Sequence, residues 1–167
     1  MDAEKFTKKS LEVIESCEKL AYEYNNQELT QAHLMYALVT VEDSLIAKLL
    51  TNMGINMDAF TGECEKLVAN RPKVSGGQLF TSPEFSKALI QAEKEAKQMG
   101  DDYISVEHIF LGLLEKADKD IKRVINAYGI TRGKFLEVLA NIRGNRKVES
   151  DNPEDTYDAL NKYGYNL

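Results

Sequence analysis

Histidine is the side chain best suited to proton transfer near neutral pH, and the chain has two, His33 and His108. Each stands three residues after a hydroxyl residue, Thr30 or Ser105, at what reads as a helix start. A side chain there packs over the cap or bonds to it, which makes a structural role the simpler reading. A metal site needs three or four ligands, and neither an HExxH helix nor paired CxxC motifs supplies them. Cys17 and Cys64 lie in helical patterns without a CxxC partner. They read as reduced thiols of a cytoplasmic protein, although a disulfide between them stays open, because sequence does not fix their separation. There is no GxxxxGKS/T loop, no GxGxxG after a strand and no GxSxG elbow. Gly76 and Gly77 form a linker pair, and carboxylates such as Glu93 and Glu95 sit beside lysines on a solvated helix face. No catalytic residue and no metal ligand is assigned. A binding module is expected rather than an enzyme.

The elements that position these residues occur twice. Thr30, Gln31, Ala32, His33, Leu34 and Ser105, Val106, Glu107, His108, Ile109 are 75 residues apart. The same offset pairs Thr7 with Ser82, Ile14 with Leu89, Leu50 with Ile125, Gly54 with Gly129 and Phe60 with Phe135. A register that long without a gap argues for duplication of one helical unit. Two copies are too few for a solenoid, so one domain of two fused halves is expected. If a pseudo-twofold axis holds the histidines apart, they cannot share one ion.

Each half reads as four helices. Thr7 caps the first, whose apolar positions recur at three- and four-residue spacing through Val13, Cys17 and Ala21. Thr30 opens the second, Ser44 the third and Asn56 the fourth, with Gly54 as a stop. Ser82 followed by Pro83 and Glu84 is a strong start signal for the fifth. Ser105, Asp118 and Thr131 open the rest. No strand-type alternation appears. The expected fold is all-α, an eight-helix pseudo-twofold domain at residues 1–144. Repeat one spans about 5–70, a mobile linker 71–81, and repeat two 82–144. Residues 145–167 change character, and Asn152, Pro153 and Glu154 look like the start of a linker helix leading into a further module.

The 167 residues are 43% hydrophobic, enough for a core, and carry a net charge of -6, which argues against nucleic acid and anionic membranes as partners. The apolar runs are too short to span a bilayer. The charged start at Asp2, Glu4 and Lys5 does not read as a signal peptide. Tyr22, Tyr24, Tyr36 and Tyr103 suit either exposed partner contacts or half-buried core edges.

The duplicated helix starts, with Leu49, Leu50, Gly54, Ile55 and their counterparts Val124, Ile125, Gly129, Ile130, resemble the double Clp repeat over roughly residues 5–144. The tail, from Arg143 and Gly144 through Asn152, Pro153 and Glu154 to Tyr157, Leu160 and Tyr163, is similar to the lead-in of the first ATPase module of ClpB-type AAA+ disaggregases. That resemblance implies a mobile, non-catalytic domain, monomeric alone, above a hexameric ring. It would capture unfolded or aggregated clients and pass them to the pore. The parent would use ATP and magnesium and work with a DnaK-type chaperone, and this part would hold no cofactor.

The resemblance also carries over client-contacting positions: Thr7, Asp101 and Glu107 as polar groups, with Leu89 and His108 lining an apolar groove beside them. His108 departs from the apolar residue often found there. Thr7 and Glu107 stand at helix starts, where free N–H groups can hold a peptide carboxylate or carbonyl. An alternative is an adaptor-docking or phosphoarginine-binding domain of the similar ClpC and ClpA type. Its two acidic sites would need a counterpart of Glu107 in the first half, where Ala32 stands.

Overall fold

Caps and glycines set the element boundaries. In the computed structural model, which describes residues 2–144 and 146–154, a 3-10 turn (Ala3–Lys5) precedes α1 (Lys8–Glu23). Then follow α2 (Gln31–Thr40), α3 (Leu45–Asn52), α4 (Met57–Ala69), α5 (Pro83–Gln98), α6 (Val106–Glu115), α7 (Lys119–Ala127) and α8 (Arg132–Arg143). The Thr7, Ser44, Asn56, Ser82, Asp118 and Thr131 side chains each accept a backbone N–H three residues on, satisfying a first-turn donor. Gly54 and Gly129 take φ of 84° and 66°, the left-handed conformation that stops α3 and α7. The helical part of the fold is thus as the sequence implies. The linker helix expected after Asn152 falls largely outside the described residues.

Two short parallel pairings were not visible in the sequence. β1 (Glu28–Leu29) pairs with β2 (Phe80–Thr81), and Phe6 bridges Ile104. At an offset of 75 these are one feature seen twice: the start of each half's first helix is clamped to the loop of the other half. Thr7 N–H donates to Ile104 O at 3.0 Å, and Ser82 N–H donates to Leu29 O at 2.8 Å. The halves therefore exchange their leading segments. The expected mobile linker is also tied down, by Val74 N–H to Asn25 O at 2.8 Å and Asn26 Nδ2 to Pro72 O at 3.2 Å.

One continuous core runs through both halves and includes Phe60, Phe110, Phe135, Leu34, Leu49 and Ile109, all fully buried. Phe110 packs on Phe135 with centroids 4.5 Å apart, a favourable tilted aromatic contact. Buried Gln31 stitches the halves, donating to Glu84 O at 2.9 Å and Lys116 O at 2.7 Å while accepting Asp118 N–H at 2.8 Å. Every polar atom of that amide side chain is engaged, as burial requires. Cys17 and Cys64 are both buried and free, and burial raises both thiols, that of Cys64 to about 12. Tyr22 is exposed, while Tyr24, Tyr36 and Tyr103 are half-buried.

Candidate functional site

The two histidines are caps. His33 Nδ1 accepts the N–H of Thr30 at 3.0 Å, and His108 Nδ1 accepts that of Ser105 at 2.9 Å. Histidine here takes the place of the Glu or Gln of a capping box. Because Nδ1 accepts, the ring proton lies on Nε2. It is donated to Asn26 Oδ1 at 2.8 Å in the first half and to Asp101 Oδ2 at 2.7 Å in the second. Both rings are fully buried and use both nitrogens. Among the described residues no three His, Cys, Asp or Glu side chains are grouped to hold a metal ion.

Burial, then the charge of Arg71, lowers His33 to about 4. An unfolded histidine titrates near 6.5, so the folded state binds fewer protons below that pH. Stability supplied by neutral His33 is complete above about pH 6.5 and lost as pH falls toward 4; about 2 kcal/mol should disappear between pH 7 and 5. His33→Gln, which can keep the cap without titrating, should flatten that part of a urea-melt pH profile. An unchanged profile would show that His33 does not control it.

The residues singled out as client contacts converge, but in the interior. Thr7, Glu107 and His108 are fully buried and Asp101 nearly so. The expectation of open helix ends at a rim is therefore corrected: the chain's own residues 148–154 cover them. Thr7 Oγ1 donates to Glu154 Oε2 at 2.8 Å, and Val106 N–H donates to the same oxygen at 3.3 Å. One carboxylate thus spans the start of α1 and the start of α6. Asp101 accepts from His108, from Arg143 and from Val148 N–H at 3.0 Å. Burial would raise its carboxyl, but these bonds hold it below the usual range. Arg143 also lies 3.5 Å from Glu107, neither of whose oxygens has a hydrogen bond among the described residues. Leu89 stands apart on α5, half-buried, one turn before Glu93, which pairs with Lys5 at 2.9 Å just ahead of Thr7. An open cleft of about 360 Å³ lies beside Arg143, lined in part by Met99, Leu136 and Leu139.

Arg143, Val148 and Glu154 were not picked from the sequence as parts of this site. Their signal was the broken repeat. At an offset of 75, Asp101, Glu107 and Arg143 correspond to Asn26, Ala32 and Val68. The charges are present together in one half and absent together in the other, as burial of ions demands.

The Clp repeat (R) N-terminal domain family matches residues 5–128. Chaperone protein ClpB of Clostridium tetani is 41% identical over 172 residues, covering 100% of this chain and 20% of that protein, so the chain spans about a fifth of that relative's length. The Hsp104 N-terminal domain of Candida albicans superposes with a TM-score of 0.79 at 20% identity, covering 90% of this chain and 99% of that one. A ClpV N-domain, solved in complex with a VipB peptide, gives a TM-score of 0.68 at 18% identity over 88% of this chain and 91% of that one. Those likenesses extend to the fold, and the matched segment carries both copies of the motif that holds His33 and His108: the chain belongs to the Clp repeat N-terminal domain family.

Proposed function

We propose that the chain is the client-recognition domain of an ATP-dependent, ClpB-type disaggregase. It captures exposed segments of unfolded or aggregated proteins and delivers them to a hexameric AAA+ ring that holds ATP and magnesium and cooperates with a DnaK-type chaperone. Thr7, Leu89, Asp101, Glu107 and His108 are the proposed client-binding set. The observation that carries this reading is that the place where Thr7, Asp101 and the start of α6 meet already holds a stretch of polypeptide, residues 148–154, bound through backbone and side-chain hydrogen bonds. Asp101 and Glu107 hold the cap and the buried ion network, so they act on a client through the shape and charge of the site, as does His108.

A promiscuous capture domain must release what it binds, so affinity should be about micromolar or weaker, roughly 8 kcal/mol or less. The test is a titration of the ¹⁵N-labelled chain with a reduced, carboxymethylated protein, with urea melts of each variant alongside. Glu107→Gln should weaken capture about tenfold, the scale of one lost charged anchor. Asn26→Ala, in the half without acids, should leave capture unchanged. Equal loss in both variants, or in neither while the fold stays intact, would sink the one-site reading.

A further inference from the structure

The polar groups assigned to capture are not waiting empty. Lys8 N–H donates to Asp151 O at 2.8 Å and Asp102 N–H donates to Val148 O at 2.8 Å. Val148 is fully buried and Glu154 is 5% exposed. Lys8 and Val106 are first-turn residues of α1 and α6, whose N–H groups have no acceptor inside their own helices. The tail supplies both acceptors.

The equivalent place, where the start of α5 meets the start of α2, lacks the means to hold such a segment. Pro83 stands where α1 has Lys8, which removes the donor to Asp151. Ala32 and Asn26 replace the acids. The covering segment is therefore specific to the place where the starts of α1 and α6 meet.

The fit is incomplete at its far end. Glu154 Oε1 and both oxygens of Glu107 have no hydrogen-bond donor among the described residues. We infer, building on the client-binding reading above, that residues 148–154 are a displaceable internal ligand of the client site, so that a client segment binds only by competing with them. Backbone acceptors for Lys8 and Asp102 can come from any extended chain, which lets clients of unrelated sequence substitute for the tail.

The incomplete end sets when the tail lets go. The charged groups around Glu154 are Glu107 of α6, with Arg143 of α8 behind it, and the Lys8–Asp151 pair at 3.9 Å on the α1 side. Burial and the Glu107 charge push the docked Glu154 carboxyl up to about 7. A released glutamate titrates near roughly 4.3, so docking takes up a proton. Docking is strongest in acid and is lost as pH rises through about 7. Client affinity should accordingly rise about tenfold between pH 6 and pH 8.

The experiment uses the full chain, with the Lys8 and Asp102 amide resonances as reporters of the docked tail and the same reduced, carboxymethylated protein as client. Client saturation should move both resonances away from their tail-docked positions, to the same positions in wild type as in client-saturated Glu154→Ala. Glu154→Ala should bind the client about tenfold more tightly than wild type near pH 6. Glu154→Gln, which copies the protonated carboxyl, should bind about tenfold or more weakly than wild type near pH 8 and lose the pH dependence. Val148→Ser provides an independent release and should reproduce Glu154→Ala. Equal client affinity in all four proteins, with the reporters unmoved at saturation, overturns the inference and leaves client binding standing. A client that fails to bind even Glu154→Ala, while the reporters show its tail displaced, overturns both.

Discussion

Replacing Arg143 with methionine should destabilise the fold by about 3–5 kcal/mol, the scale for removing one member of a buried ion network. Arg143 is 3% exposed and is the only cation placed between Asp101 and Glu107 among the described ion pairs. Without it, two carboxylates lie buried with no counter-charge, and Glu154 adds a third nearby. In wild type the depressed Asp101 carboxyl gives stability that is present above its unfolded pKa and lost as pH falls through the folded one. In Arg143→Met the Asp101 carboxyl loses two of the contacts that hold it down and should rise, so the variant's deficit should be largest near pH 8 and shrink toward pH 5. The first half provides the control. The triple change Asp101→Asn, Glu107→Ala, Arg143→Val copies Asn26, Ala32 and Val68, and should return stability to within about 1 kcal/mol of wild type, since a matched apolar replacement of a buried ion set is close to neutral. Urea melts at several pH values read all of this. A triple variant no better than the single one would mean that the charges themselves, not their pairing, hold the fold.

The helices were legible because their information is local. Thr7, Ser82 and Thr131 announce starts, Gly54 and Gly129 announce ends, and the 75-residue register fixes the order of elements. The exchanged leading segments were not legible, because Phe6 and Ile104 meet through backbone atoms across 98 residues and leave no side-chain pattern. The same limit hid the depth of the site. Thr7 and Glu107 sit at helix starts, which are ordinarily solvated, and Asp101 in the turn between α5 and α6; all three are buried in contacts that include residues far off in sequence, such as Arg143, Val148 and Glu154. Glu154 looked like an N-terminal acid of a new helix, and its bonds to Thr7 and Val106 link parts of the chain far apart in sequence. The asymmetry between halves was visible, but without Arg143 its electrostatic meaning was not.

The same comparison of halves yields an expected result of opposite sign at two glycines. Gly112, in the middle of α6, faces α5 so closely that a Cβ there would lie 2.3 Å from Ala88 O and 3.0 Å from Ala92 N. Those are backbone atoms of a helix, so they cannot rotate away. The equivalent residue in the first half is Ala37, and α1 there presents Val13 and Cys17 where α5 presents Ala88 and Ala92. Small residues on both α5 and α6 thus set a closer helix approach in the second half. Alanine gains about 1 kcal/mol of helix propensity over glycine, but overpacking against rigid backbone outweighs that gain. Gly112→Ala should lose about 3 kcal/mol in total, with the displacement reported by Phe110, which packs on Phe135 of α8. Gly62, in α4, is exposed, and a Cβ there would have nothing within 4 Å. Gly62→Ala should therefore gain close to the full propensity difference, about 1 kcal/mol. Both are read by urea denaturation with the slope checked for constancy. Similar, small effects at the two positions would mean that α5 can move away from α6 and that the close approach does not constrain the fold.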